Sequence, residues 1–174
     1  NNNNAVIGIY SSTYYANGIL PKQGNNSYYK LLSDITIPQN KTLTINPGVK
    51  LVFPSIYNSL YVYGTLKADG LQNDSIYFLG TKDPNYSYSN YGGRIELGST
   101  SVNSSVSYAV IDSLGDSYSG IHPGAMTIYS SSANITKNNL KSYENVGIYV
   151  ANDSLPSVTN NKFGVMSLSI SANG

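Results

Sequence analysis

The 174-residue chain has no cysteine, no tryptophan, one arginine and one histidine, and its charged residues reach 11%, less than half the roughly 25% usual for soluble domains. Without cysteine there is no disulfide framework and no thiolate metal site. A domain of this length needs neither, because folding buries about 68–70% of the surface its unfolded chain exposes. Ten Lys and Arg stand against nine Asp and Glu, a net charge of +1 with no run of either sign. Phosphate-backbone steering and attraction to anionic lipid therefore have no source, which excludes nucleic acid as a partner. No stretch approaches the roughly 18 consecutive apolar residues of a spanning helix, so membrane insertion is not expected, and Asn1 to Asn4 show neither a basic nor an apolar leader pattern. Phosphate-cradling glycine loops, a Gly-X-Ser-X-Gly elbow and metal-ligand spacing are missing too, so no cofactor and no metal are expected.

What fills the space is 26 Ser, 22 Asn, 17 Tyr and 10 Thr, which makes the surface neutral and rich in hydroxyls and amides. Asn-X-Ser/Thr sequons occur at Asn25, Asn40, Asn73, Asn85, Asn103, Asn134 and Asn152. One reading is a glycosylated exterior, hence an extracellular or cell-surface location; the other is that Asn and Ser co-occur because both suit turns.

Short apolar runs rich in β-branched and aromatic residues recur along the chain, among them Leu31 to Ile37, Thr42 to Ile45, Val49 to Phe53, Leu60 to Tyr63, Ser75 to Leu79, Arg94 to Leu97, Val106 to Ile111, Met126 to Tyr129, Val146 to Val150 and Val165 to Ile170. Turn signals separate them: Asn46-Pro47-Gly48, Asp69-Gly70, Gly92-Gly93, Pro123-Gly124 and the Asn-Asn pairs at 138 and 160. The chain reads as all-β.

An internal repeat sets the architecture. Ile135-Thr-Lys-Asn-Asn-Leu140 matches Val158-Thr-Asn-Asn-Lys-Phe163 at an offset of 23, and Val106 and Ile111 stand in the same relation to Ile135 and Leu140 at an offset of 29, the difference falling in a longer loop around Gly115 to Pro123. A period of this size with three short strands per repeat suits a parallel β-helix, in which apolar residues stack inside and asparagines of successive turns hydrogen-bond along the axis. Asn138 over Asn161, or Asn139 over Asn160, would form such a ladder.

The segment Ser33 to Phe53, with its Ile-Thr-Ile-Pro and Leu-Thr-Ile-Asn-Pro-Gly-Val pattern, is followed by Leu60-Tyr-Val-Tyr-Gly-Thr-Leu-Lys-Ala-Asp-Gly70 and Ser75-Ile-Tyr-Phe-Leu79. These residues resemble the opening coils of the right-handed parallel β-helix (pectate-lyase-like) repeat family of secreted and cell-surface proteins. The resemblance covers roughly residues 30 to 170. It implies a right-handed solenoid of about six coils, but the family spans adhesins, envelope proteins and polysaccharide-active enzymes, so it implies no single activity. Residues 1–29 are expected to form an N-terminal strand and capping segment, with the β-helix domain at 30–174.

Catalytic material is scarce. Polysaccharide lyases and hydrolases of this fold use clustered carboxylates, sometimes with calcium beside an arginine base. Most carboxylates here adjoin Gly, Asn, Ser or Pro and read as turn formers. The best constellation is Asp112, Asp116 and His122 in one insertion, with Arg94 and Glu96 about a coil earlier. The expectation is that the chain is not an enzyme, with a lyase or glycoside hydrolase as the alternative. Tyr86, Tyr88 and Tyr91 crowd a loop and could stack on sugar rings, or pack on a neighbouring subunit.

The run Ala5 to Tyr10 is apolar and β-prone. Val6, Ile7, Ile9 and Tyr10 need a partner, either the chain's own first coil or a strand of another subunit. At the other end, Ser167 to Gly174 shows no amphipathic or charged closing segment. The combined expectation is a non-catalytic extracellular structural protein that self-assembles into a surface filament, sheath or adhesive layer; the alternative is a glycan-binding adhesin module. Expected partners are copies of itself and glycans.

Overall fold

The computed structural model describes residues 5–10, 13–24, 27–81, 92–115, 124–130, 132–141, 146–151 and 154–164. Among them the chain winds through three parallel sheets in a fixed rotation. The first sheet holds β1 (Val6–Ile9), β3 (Tyr28–Leu31), β6 (Lys50–Phe53), β9 (Ile76–Gly80), β12 (Ala109–Asp112), β15 (Asn139–Leu140) and β18 (Lys162–Phe163). The second holds β4 (Ile35–Ile37), β7 (Leu60–Val62), β10 (Ile95–Leu97), β13 (Gly124–Ile128) and β16 (Val146–Val150). The third holds β2 (Gly18–Leu20), β5 (Thr42–Ile45), β8 (Thr65–Asp69), β11 (Ser105–Ser107), β14 (Asn134–Thr136) and β17 (Ser157–Thr159). Each strand inside a sheet pairs in parallel with the strand one turn above and one turn below, as in a β-helix, and the described residues include no helix.

Five turns carry a strand in all three sheets, β3 to β17, where the sequence suggested about six. β1 pairs with β3 and β2 with β5, but between them the chain touches the second sheet only through a single bridge from Thr13 to Thr36. Residues 5–20 thus form a partial first turn of the same solenoid. Within it Ile9 is buried and Ile7 packs against the core, while Val6 and Tyr10 are 51% and 80% exposed. The expected strand over Val165 to Ile170 lies outside the described residues.

Alternation along each strand sends every second side chain inward, and the parallel register stacks equivalent residues into columns. Ile35, Leu60, Ile95, Met126 and Ile148 form one such column in the second sheet. Leu51, Phe78, Ile111 and Leu140 form another in the first. The repeat read from the sequence sits in register: Val106 pairs with Ile135 and Ile135 with Val158. Ile135 is fully buried, whereas Val158, on the outermost described strand of its sheet, is only partly covered.

Two runs that looked continuous are bent strand pairs. Val106 to Ile111 breaks at Tyr108 (φ 47°) and Leu31 to Ile37 breaks at Ser33–Asp34. The corner from the third sheet to the first is turned by one residue in the left-handed region in three successive turns: Tyr108, Lys137 (φ 57°) and Asn160 (φ 55°). Lys137 Nζ donates to the Tyr108 hydroxyl at 3.0 Å and lies 5.1 Å above its ring, which ties the stacked corners together. Asn138, buried, and Asn161, half-buried, follow in the same corner.

The long connections leave from one place. Residues 81–94 and 113–123, the two longest, both run from the first sheet to the second, so the largest insertions fall at a single corner of the rod. Gly80 closes β9 there; a Cβ on it would lie 1.6 Å from the Ser113 carbonyl oxygen, a contact that only glycine permits.

Candidate functional site

The outside of the second sheet is set apart from the outsides of the other two. Elsewhere strands alternate covered and half-covered residues, but all three residues of β10 and all five of β13 are buried. The outward column of this sheet, read from the register, is Thr36, Tyr61, Glu96, Thr127 and Tyr149. Tyr63 and Tyr129 follow two residues after Tyr61 and Thr127 and project to the same side.

Arg94 enters this face at the start of β10. A Cβ on Gly93 would lie 2.1 Å from the Asn58 carbonyl oxygen, so glycine lets the chain press against the preceding turn, and the Arg94 amide then donates to Ser59 Oγ at 3.2 Å. The Ser59 amide in turn donates to Asp34 Oδ1 at 2.8 Å. Two residues apart on one strand, Arg94 and Glu96 point the same way, and Arg94 Nε donates to Glu96 Oε2 at 3.2 Å. Arg94 Nη2 donates to the Tyr61 hydroxyl at 3.2 Å, and its guanidinium carbon lies 5.3 Å from the centre of the Tyr61 ring. Both members of the ion pair are more than nine-tenths buried.

Burial raises the phenol of Tyr61 above its ordinary value near 10; Arg94 opposes the shift, while the Asp34 and Glu96 carboxylates add to it. Tyr129 is raised by burial first, then by Glu96 and Tyr149, against Arg94. Both phenols are hydrogen-bond donors at neutral pH. Thr127, one rung from Glu96, is fully buried and its hydroxyl has no hydrogen-bond partner.

Tyr63 is held differently. A Cβ on Gly98 would lie 2.7 Å from Tyr63 Cδ1 and 2.9 Å from Cε1, so the Tyr63 ring lies against the backbone of the next turn over a position without a side chain. The residue stays 42% exposed, which leaves the ring's outer surface open.

The residues picked out from the sequence are dispersed. Arg94 and Glu96 belong to this face, but Asp112 ends β12 on the first sheet, where Ser113 Oγ donates to it at 3.3 Å. Asp116, His122, Tyr86, Tyr88 and Tyr91 lie outside the described residues, as do Asn25, Asn85 and Asn152. Asn40, Asn73, Asn103 and Asn134 are exposed, and Asn40 (φ 64°) and Asn103 (φ 54°) sit in left-handed turns. Among the described residues no three of His, Cys, Asp and Glu come together as a metal site.

Sequence reasoning missed Tyr61, Tyr63, Thr127, Tyr129 and Tyr149. The signal was present in the strands when aligned by turn: Leu60-Tyr-Val-Tyr63, Ile95-Glu-Leu-Gly98, Met126-Thr-Ile-Tyr129 and Ile148-Tyr-Val-Ala151 share one inward pattern and expose one outward set. Comparison with family models, curated proteins and solved structures gives no match, so the site rests on its own geometry.

Proposed function

We propose that this chain is a non-catalytic, glycan-binding β-helix module of a secreted or cell-surface protein. The observation that carries the reading is the outer face of the second sheet, where tyrosines flank an ion pair. Tyr61, Tyr63, Tyr129 and Tyr149 offer amphipathic rings that can stack on sugar rings and phenol hydroxyls that can hydrogen-bond them, while the buried Arg94–Glu96 pair holds the Tyr61 hydroxyl in place. The pattern shared with pectate-lyase-like repeat proteins and the four exposed sequons support an extracellular, glycosylated setting. The enzymatic alternative has less support: Glu96 is engaged by Arg94, and Asp112 stands on another sheet. The test is a glycan array probed with the purified chain. Binding that is lost in Tyr61→Ala and Tyr129→Ala bears the reading out; an array without any binding, or one whose signals both variants retain, refutes it.

Self-assembly into a filament, sheath or adhesive layer is a second reading, favoured by a separate observation. On the partial first turn Val6, Tyr10, Tyr15 and Ile19 are all more than half exposed, and β1 pairs with β3 on one side. Electron microscopy of the purified chain tests it: filaments that disappear in Tyr10→Ser with Ile19→Ser favour assembly, and dispersed particles at high concentration count against it.

A further inference from the structure

We infer that the face of the second sheet takes a neutral glycan, with one sugar ring stacked on Tyr63, and discriminates against polyuronates and sulfated chains; this rests on the glycan-binding reading above and narrows its ligand.

The first argument is charge. The charged groups that act on the phenols of Tyr61 and Tyr129 are Arg94, Glu96 and, at Tyr61, Asp34. Arg94 is the chain's only arginine, and it is already spent on Glu96 and on the Tyr61 hydroxyl. Among the described residues one cation stands against two carboxylates, which leaves no surplus positive charge for the acidic groups of a polyuronate, and Glu96 and Asp34 repel them. Neutral hydroxyls meet no such barrier, since ionised carboxylates accept hydrogen bonds from them and the protonated phenols donate.

The second argument is shape. The Tyr63 ring is pinned against the backbone at Gly98 with one surface open, so its orientation is fixed before a ligand arrives and little rotamer freedom is lost on binding. Tyr129 stands two turns from Tyr63, about 10 Å away at roughly 4.8 Å per turn, near the repeat of two residues in an extended β-linked chain. The rung between them is Gly98, which projects no side chain into the gap the sugar spans, and the phenol hydroxyls of Tyr61 and Tyr129 are the donors beside it.

The experiment is isothermal titration of the full chain at low salt with cellohexaose, mannohexaose and hexagalacturonate, repeated for Tyr63→Ala, Tyr63→Phe and Gly98→Ala. At least one neutral hexasaccharide is expected to bind and hexagalacturonate to bind more weakly by about tenfold or more. Tyr63→Ala should lose about tenfold in affinity, Tyr63→Phe should stay within about twofold, and Gly98→Ala should weaken binding by tilting the ring. Circular dichroism confirms that each variant is folded. Tighter binding of hexagalacturonate, falling with added salt, overturns the inference while leaving glycan binding intact. Neutral binding that Tyr63→Ala and Gly98→Ala leave unchanged overturns the stacking assignment. Absence of binding by all three sugars, together with a blank glycan array, removes the inference and the underlying reading together.

Discussion

Asn138 lies directly over Asn161, its side-chain Nδ2 donating to Asn161 Oδ1 at 3.0 Å while its backbone amide reaches the same oxygen at 3.0 Å. Asn138 also accepts from the Ala109 amide at 2.9 Å and donates to the Val106 carbonyl at 2.9 Å, so one buried side chain stitches three turns at their tightest corner. Replacing Asn138 by Ala strands the Ala109 amide and the Val106 carbonyl in a dry corner, with an expected loss of about 3 kcal/mol. Asn161→Ala, at a half-exposed position, should lose about 1 kcal/mol. Urea midpoints of the two variants check the ordering; an Asn138→Ala protein as stable as the parent would contradict the ladder.

The stacked core gives a graded prediction. Ile135→Ala removes a fully buried side chain from mid-column and should cost about 3 kcal/mol, whereas Val158→Ala, one turn further and only partly covered, should cost about 1 kcal/mol. Equal losses in denaturant titration would argue against this register.

Arg94 and Glu96 are coupled. Arg94→Met alone leaves a carboxylate buried without its cation and is expected to cost about 3–5 kcal/mol, while Arg94→Met with Glu96→Leu should recover most of that loss. A thermodynamic double-mutant cycle measures it; additive losses in the double variant would show that the pair does not act as a unit.

Burial raises the phenols of Tyr14, Tyr61 and Tyr129, so the folded protein keeps protons there that the unfolded chain gives up near pH 10. Stability from this source is whole below about pH 10 and is lost as pH climbs through the raised values. Phenolate absorbance should therefore show a late-titrating class that vanishes in urea. Titration of every tyrosine together near the ordinary value in the native protein would refute the buried assignments.

The solenoid was legible because its determinants are local and repeat. Ile135 and Val158 announce a column, and Asn138 and Asn161 a corner, through the shared Thr136/Thr159 and the apolar Leu140/Phe163 at the same offset of 23. The strand bend at Tyr108 was not legible, since a tyrosine in the left-handed region carries no local signature and is held there by the turns above and below. The tyrosine face was hidden for a related reason. Tyr61, Tyr129 and Tyr149 are far apart in the chain, and unequal connections between the strands conceal the alignment that the parallel register makes plain. The sugar-binding expectation at Tyr86, Tyr88 and Tyr91 falls outside the described residues; the described tyrosines that converge lie on strands of the second sheet or directly after them.

The central claim is that the second sheet's outer face is the sugar-binding surface. A crystal structure of the chain soaked with the neutral hexasaccharide that binds best tests it most directly. The expected result is a sugar ring parallel to Tyr63 over Gly98, with hydroxyls within hydrogen-bond distance of the Tyr61 or Tyr129 phenol. Sugar density on the first or third sheet, with the Tyr63 ring left bare, would contradict the account.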